Sequence, residues 1–192
     1  MDTPADISQV TDAARAAARV LANAPTQLKN RGLEAIAAAL IERADQILAA
    51  NAEDLARGRA EQMSDGLLDR LALNTDRLRS IAEAVREIVA LPDPIGQVVR
   101  GGRTEIGLRV TQERVPLGVV GIIYEARPNV TIDAAALALK AGNAVILRGG
   151  SAAQASNRVL IDVCRDALSS VGLPPDAIST VDPWGRGGAR AM

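Results

Sequence analysis

The chain has 192 residues, of which 48% are hydrophobic and 23% are charged, enough for one sizeable core. Its net charge of −1 argues against a nucleic-acid or membrane-surface partner. One cysteine and no histidine exclude an internal disulfide, a Cys–His zinc site and a Ser-His-Asp triad from this chain alone, and no metal site is expected. No apolar run reaches 18 residues, and residues 1–10 lack the features of a secretory leader, so we expect a cytoplasmic protein.

Residues 1–92 are predicted to be helical. Apolar residues at three- and four-residue spacing predict one helix over residues 29–48, with Thr26 as a candidate N-cap. A shorter helix is expected after Asn51. Asn74 is predicted to cap a third long helix, which ends before a Leu-Pro-Asp-Pro sequence because proline cannot continue it.

The pattern then changes to one typical of strands. Residues 93–116 predict a hairpin around Gly101 and Gly102. The continuous apolar run at residues 119–124 predicts a strand that is buried on both faces. The further predicted elements are a helix at 131–141, a strand at 143–147, a helix at 152–169 and a strand at 177–181. This alternation predicts an α/β fold with a parallel βαβαβ sheet, followed by a poorly ordered Gly- and Arg-rich tail at residues 183–192.

Two predicted βα turns are candidates for a binding site, because ligands bind beyond the carboxyl ends of parallel strands. They are residues 124–131 and residues 147–151. In the second turn, glycines permit close approach of a ligand, the following helix offers free amides, and Arg148 adds a positive charge. Each turn also has a structural interpretation without a ligand. The first turn could be a local salt bridge with an Asn turn, and the second could be an ordinary βα loop. Neither turn is a G-x-G-x-x-G or P-loop sequence, so motif rules alone specify no nucleotide.

Cys164 is the only thiol, but it falls in the middle of a predicted helix, and the chain has no histidine to activate it. A cysteine in such a position is typically a small buried hydrophobic residue. We therefore interpret Cys164 as structural.

Several longer motifs can be compared with known families. They are VPLGVVGIIYEARPNVT at residues 115–131, KAGNAVILRGGS at 140–151 with Ser-Asn at 156–157, NAEDL at 51–55 and LLDRL at 67–71. Together they resemble the γ-glutamyl phosphate reductase (glutamate-5-semialdehyde dehydrogenase) branch of the aldehyde dehydrogenase superfamily. The resemblance extends from about residue 10 to about residue 180 and implies an aldehyde dehydrogenase-like, Rossmann-like fold.

The resemblance implies reduction of L-glutamate 5-phosphate to glutamate 5-semialdehyde by NADPH in proline biosynthesis. In that family a cysteine thiolate displaces phosphate, and hydride reduces the resulting thioester. Family members are about twice as long, and their nucleophile lies in a later catalytic domain without a counterpart here. We therefore expect an N-terminal portion of a reductase, inactive by itself and without its nucleophile.

The resemblance also implies roles for particular residues. Residues 117–182 correspond to the first part of the NADP-binding domain, and residues 93–116 correspond to a hairpin used for homo-oligomerisation. The expected cofactor-binding residues are Tyr124, Glu125, Arg148, Gly149, Gly150 and Ser151. Arg148, with no acid directly after it in the sequence, favours the 2′-phosphate of NADP. Asn129 is the candidate oxyanion donor, Arg127 the candidate ligand of a substrate anion, and a glutamate 5-kinase the candidate partner protein.

Two other functions remain open. One is a non-catalytic, truncated nucleotide-binding or interaction module, which tight NADPH binding without turnover would favour. The other is a helical interaction protein based on residues 1–90. Amphipathic helices normally bury their apolar face within their own domain, which makes this second alternative the weaker one.

Overall fold

The structure is a computed structural model and describes residues 6–192. The helices are α1 (Ser8–Ala22), α2 (Thr26–Glu42), α3 (Ala44–Ala60), α4 (Asp65–Leu71), α5 (Thr75–Ala90), α6 (Pro128–Lys140), α7 (Gln154–Ser170) and α8 (Gly185–Ala191). The strands are β1 (Val98–Arg103), β2 (Arg109–Glu113), β3 (Val119–Ile123), β4 (Ala144–Arg148) and β5 (Ile178–Thr180). Within residues 6–192, no helix combines the length and the apolar character needed to cross a membrane. The expectation about a leader concerns residues 1–10, of which the first five lie outside the described residues.

The predicted parallel sheet is confirmed, with strand order β3-β4-β5. Parallel crossovers are right-handed as a rule, which places α6 and α7 together on one face, and α1 packs against the strands from the other face. The central strand β4 is therefore covered on both sides, which explains its continuous apolar sequence. The prediction that β3 is buried on both faces is wrong: β3 lies at the edge of the sheet, none of its residues is buried, and Gly121 and Ile123 are exposed.

The third predicted long helix is confirmed as α5. The side chain of Asn74 accepts a hydrogen bond from the backbone N–H of Arg77 at 2.7 Å, so the predicted cap is present. The helix ends at Ala90, before the prolines. Its buried face packs mainly against α2.

Three predictions in the helical part are wrong. Residues 29–48 do not form one helix, because the backbone of Arg43 leaves helical geometry and separates α2 from α3. The apolar spacing continues across this break, so the sequence gives no sign of it. Thr26 is not a cap: Pro25 holds that position, and the Thr26 hydroxyl donates to Asp93 Oδ2 at 2.6 Å. Asn51 does not precede a separate helix but lies within α3.

The predicted hairpin exists as β1 and β2, but its turn lies elsewhere. Gly101 and Gly102 are inside β1, paired with β2. The chain reverses instead at Gly107, whose φ of +86° suits glycine, and the Gly107 N–H donates to the Thr104 carbonyl at 2.9 Å. Every residue of both strands is exposed, and Ile106 at their tip is 83% exposed.

The tail is also ordered differently from the prediction. Residues 183–192 complete a 3₁₀ turn and form α8 instead of an irregular segment. Gly188 is buried and packs closely against Val181. A Cβ at this position would lie only 2.6 Å from the Val181 carbonyl oxygen, so the packing requires glycine. Close packing of a glycine-rich helix cannot be seen in the local sequence, since glycine disfavours helix.

A buried ion pair joins α2 to the segment after α5. Lys29 Nζ lies 2.7 Å from Asp93 Oδ2, and Lys29 is 1% exposed. Burial tends to raise the pKa of Asp93, but hydrogen bonds from Lys29 and Thr26 outweigh burial and hold its pKa below the usual value. Lys140 of α6 extends the cluster by donating to the Val89 carbonyl at 2.9 Å.

We expect Asp93→Asn to lower the free energy of unfolding by about 3 kcal/mol at pH 7, because the buried ammonium group of Lys29 would lose its ion-pair partner. The folded-state pKa of Asp93 is depressed. The wild-type advantage is therefore present above about pH 4 and is lost as pH falls through the folded-state pKa. Urea unfolding from pH 7 to pH 3 measures this, with the exposed Asp162→Asn as control. A difference that stays constant with pH would contradict the assignment.

Candidate functional site

The two predicted turns contact each other at the carboxyl ends of β3 and β4. The Tyr124 N–H donates to the Arg148 carbonyl at 3.1 Å. A Cβ on Gly150 would lie 2.6 Å from the backbone nitrogen of Ala126, and a Cβ on Gly149 would overlap the side-chain amide of Asn157. The two glycines therefore allow the two turns and α7 to approach each other closely. From the sequence they are expected to allow close approach of a ligand.

The hydroxyl of Tyr124 lies in a hydrogen-bonded chain between α6 and α7. Thr131 donates its single hydroxyl proton to Asn157 Oδ1 at 2.9 Å, so Tyr124 must donate to Thr131 across 2.7 Å. Burial raises the pKa of Tyr124 to about 12. Tyr124 thus stays protonated and fixes the first turn to α7.

Asp182 brings a carboxylate to the second turn. Its Oδ1 accepts the Gly149 N–H at 2.8 Å, and it attracts Arg148 electrostatically. Burial raises the pKa of Asp182, partly offset by Gly149 and Arg148. No acid follows Arg148 directly in the sequence, but Asp182 lies near it in space without forming an ion pair within 4.0 Å. The acid follows β5 and not β4, so an inspection of the neighbouring sequence misses it.

The side chains of the other predicted cofactor residues, Arg148, Ser151 and Glu125, contact their own turn, solvent or a distant charge. The Arg148 Nη1 donates to the Gly149 carbonyl at 2.7 Å, so this guanidinium folds back onto its own turn. Ser151 is exposed and begins the 3₁₀ turn Ser151–Ala153. Glu125 is exposed, with Oε2 4.0 Å from Arg70 Nη1.

The N-terminus of α7 is occupied by a carboxylate from α3. Asp54 is fully buried and accepts the backbone N–H groups of Ala155 at 3.1 Å and Ser156 at 2.8 Å. It also accepts the Ser156 hydroxyl at 2.7 Å and pairs with Arg57. The amides of Ala155 and Ser156 are therefore not free for an anion, contrary to the sequence argument.

A first cleft, of about 280 Å³, opens beside α7 and β5. Its lining residues are Glu53, Arg57, Gln154, Ala155, Arg158, Thr180, Asp182 and Pro183. The predicted cofactor residues do not line it, but Asp182 joins it to the second turn through Gly149. Sequence reasoning missed Arg57 and Arg158, which look like ordinary charges on a helix surface.

A second cleft, of about 310 Å³, opens between the first turn, α4 and α5. Its lining residues are Asp69, Arg70, Ala72, Leu73, Arg77, Ser80, Ile81, Arg127 and Asn129. The two residues predicted to act on substrate, Arg127 and Asn129, thus face the same cleft. Asn129 Nδ2 donates to Asp133 Oδ2 at 3.2 Å. The Nε of Arg127 is buried and has no hydrogen-bond partner among the described residues.

Cys164 lies in α7 and has no exposed surface. Burial raises the pKa of its thiol to about 12, so almost no thiolate exists near neutral pH. These properties agree with the structural interpretation. Within residues 6–192, no group of three or more Cys, Asp or Glu side chains is arranged to hold a metal ion.

The family model described as the aldehyde dehydrogenase family matches residues 1–192. The chain belongs to this family. It is 56% identical over 179 residues to the γ-glutamyl phosphate reductase of Kineococcus radiotolerans, which covers 93% of this chain and 41% of that protein. It is 55% identical over 190 residues to the γ-glutamyl phosphate reductase of Leifsonia xyli, which covers 99% of this chain and 45% of that protein.

Solved structures agree with these relatives. The crystal structure of γ-glutamyl phosphate reductase from Thermotoga maritima superposes with a TM-score of 0.92 at 39% identity, over 95% of this chain and 44% of that one. The crystal structure of γ-glutamyl phosphate reductase from Saccharomyces cerevisiae superposes with a TM-score of 0.87 at 29% identity, over 94% of this chain and 47% of that one. The chain thus spans less than half the length of the relatives named here.

We expect Asp54→Ala to lower the free energy of unfolding by about 3 kcal/mol, because it leaves two α7 amides without their charged acceptor and Arg57 without its partner. The neighbouring Glu53→Ala is a matched control, since Glu53 is exposed. We expect it to change stability by less than about 0.5 kcal/mol. Urea unfolding followed by circular dichroism compares them, and equal effects would contradict the role of Asp54.

We expect Gly149→Ala to destabilise the fold by about 2 kcal/mol, because its methyl group overlaps Asn157 and forces the turn to move. Gly66→Ala provides the control: a Cβ at this helical position meets no atom within 4 Å. It should stabilise by about 0.5–1 kcal/mol. Thermal unfolding measures both, and a neutral Gly149→Ala would show that the turns tolerate separation.

Proposed function

We propose that this chain supplies the cofactor- and substrate-binding residues of a γ-glutamyl phosphate reductase, which reduces L-glutamate 5-phosphate to glutamate 5-semialdehyde in proline biosynthesis. The observation that carries the proposal is the identity of more than half the residues to reductases of that name, over nearly the whole chain. The two contacting turns at the carboxyl edge of the sheet add support, because this edge is where such folds bind ligands.

The proposed cofactor is NADP(H), which supplies hydride when bound. The proposed contacts are Tyr124, Glu125, Arg148, Gly149, Gly150 and Ser151. The guanidinium group of Arg158 in the first cleft fits a cofactor that carries phosphate beyond the pyrophosphate, whereas the charge of Arg57 is already balanced by Asp54. Asp54 already accepts two amides of α7, so arginine side chains fit the role of phosphate ligands better than this helix terminus.

The proposed substrate contacts are Arg127 and Asn129. The side-chain amide of Asn129 has two protons, of which Asp133 accepts one. The other has no acceptor among residues 6–192 and can donate to an oxygen that gains negative charge during reduction. Arg127 offers a planar, permanently charged donor to a carboxylate or phosphate group.

The thiolate of this mechanism is proposed to come from outside these 192 residues. Cys164 is the only cysteine and is fully buried within α7. A nucleophile must reach substrate and ionise, and Cys164 does neither.

The remaining proposals concern assembly and location. Apolar side chains on the exposed hairpin, such as Ile106 and Val98, support a homo-oligomer formed through β1 and β2. An interaction with a glutamate 5-kinase and a cytoplasmic location agree with a biosynthetic role and rest on the resemblance alone.

A second candidate function is a binding module that takes up NADPH without turnover. The burial of Cys164 favours it for the chain by itself. The two functions differ in turnover, which can be measured in the reverse direction after a polypeptide that supplies the thiolate is added. Only the reductase would then convert glutamate 5-semialdehyde, phosphate and NADP to the acyl phosphate and NADPH.

We expect the 192-residue protein to bind NADPH more tightly than NADH, measured by nicotinamide fluorescence. Arg148→Glu should reduce the ratio of the two affinities about tenfold, because one favourable charge becomes unfavourable to the 2′-phosphate. Arg31→Glu is the control with the same charge change on an exposed residue of α2. An unchanged ratio in Arg148→Glu would remove this residue from the cofactor site.

A further inference from the structure

The second cleft combines residues of the first turn with the α4–α5 region, whose LLDRL motif has no role in the proposed chemistry so far. Ala126 of the turn lies against Gly150, whereas Arg127 and Asn129 line the cleft. The same turn therefore connects the proposed cofactor residues to a separate cavity of about 310 Å³, which is large enough for a small ligand.

The charge in this cleft is not balanced. Arg77 is neutralised by Asp69, whose Oδ1 lies 2.7 Å from Nη2. Arg70 has Glu125 at 4.0 Å, too long for a hydrogen bond, with both side chains more than half exposed. Arg127 has no ion-pair or hydrogen-bond partner for its side chain among residues 6–192, and its Nε is buried.

Arg127 lines the cleft, and its guanidinium has no counter-ion among residues 6–192, so its charge is available to an anion that the described residues do not supply. Arg70 lines the same cleft and carries a second charge that is at most weakly compensated. Two guanidinium groups in one cavity favour an anion with two or more oxygens, since each group can donate two parallel hydrogen bonds.

The position of Arg70 is fixed by a buried residue of the NAEDL motif. Asn51 Nδ2 donates to the Leu71 carbonyl at 2.9 Å, and Asn51 Oδ1 accepts the Leu73 N–H at 2.8 Å. Arg77 Nη1 adds a bond to the Ala72 carbonyl at 2.7 Å. These bonds hold the backbone that follows Arg70 and so fix where its side chain starts.

We infer that Arg70 and Arg127 together form a subsite for one anionic group of the substrate, a carboxylate or a phosphate, with Asn51 and Arg77 as positioning residues. The inference deepens the proposed function and rests on it for the identity of the substrate, since L-glutamate 5-phosphate carries both groups. Binding of an anion by the cleft itself does not depend on that identity.

The test is titration of the ¹⁵N-labelled 192-residue protein with inorganic phosphate and, separately, with L-glutamate, at constant pH and ionic strength. The Nε–H resonance of Arg127 is the readout, because Arg127 lines this cleft. We expect a saturable shift with at least one probe, and an about tenfold weaker affinity in Arg70→Ala. Arg79→Ala is the matched control on α5, because Arg79 is exposed and does not line the cleft. It should bind like the wild type.

A response to phosphate alone assigns the subsite to the phosphate group, and a response to L-glutamate alone assigns it to the carboxylate. No saturable shift with either probe, or equal affinities in Arg70→Ala and the wild type, would overturn the inference. NADPH binding to the same samples keeps the two proposals apart. Anion binding without NADPH binding would count against the reductase, and NADPH binding without anion binding would count against the subsite alone.

Discussion

The carboxylate of Asp54 connects the N-terminal helices to the sheet and sets the position of α7. It is fully buried and accepts two backbone N–H groups and one hydroxyl at the start of that helix. A negative charge at a helix N-terminus is favourable, and Arg57 balances it at the surface. From this fixed helix, Asn157 contacts Gly149 and bonds Thr131, so the geometry of both candidate turns depends on the same carboxylate.

Much of the fold could be predicted because its signals are local. The apolar runs of β3 and β4 and the Asn74 cap each depend on a few neighbouring residues. The errors concern features decided by distant contacts. Arg43 ends α2 while its side chain bonds Asp166 of α7, and α8 forms where Gly188 packs on Val181. Local propensity does not contain this information.

The candidate site was predictable to a similar extent. Topology alone locates the two turns, and the resemblance selects residues within them. The partners of those residues come from elsewhere: Asp182 follows a different strand, and Arg70 lies on α4. Asp54 reads as a surface charge because nothing in its own helix shows that α7 covers it. Charged residues that serve another element need the tertiary structure to be recognised.

Because Asp54 occupies the N-terminus of α7, anion binding at either cleft depends on side chains instead of the backbone N–H groups of Ala155 and Ser156. The cations that line the two clefts are guanidinium groups, which match the geometry of phosphate and carboxylate groups. The attraction of these clefts for a phosphate group still depends on pH, because the charge of the phosphate itself changes over a range centred at about pH 6. The groups near the clefts whose titration moves toward that range are Asp133 and Asp182, because burial raises the pKa of each. Asp182 accepts from Gly149, so its protonation would weaken a bond that holds the second turn, whereas Asp133 and its donor Asn129 both lie within α6.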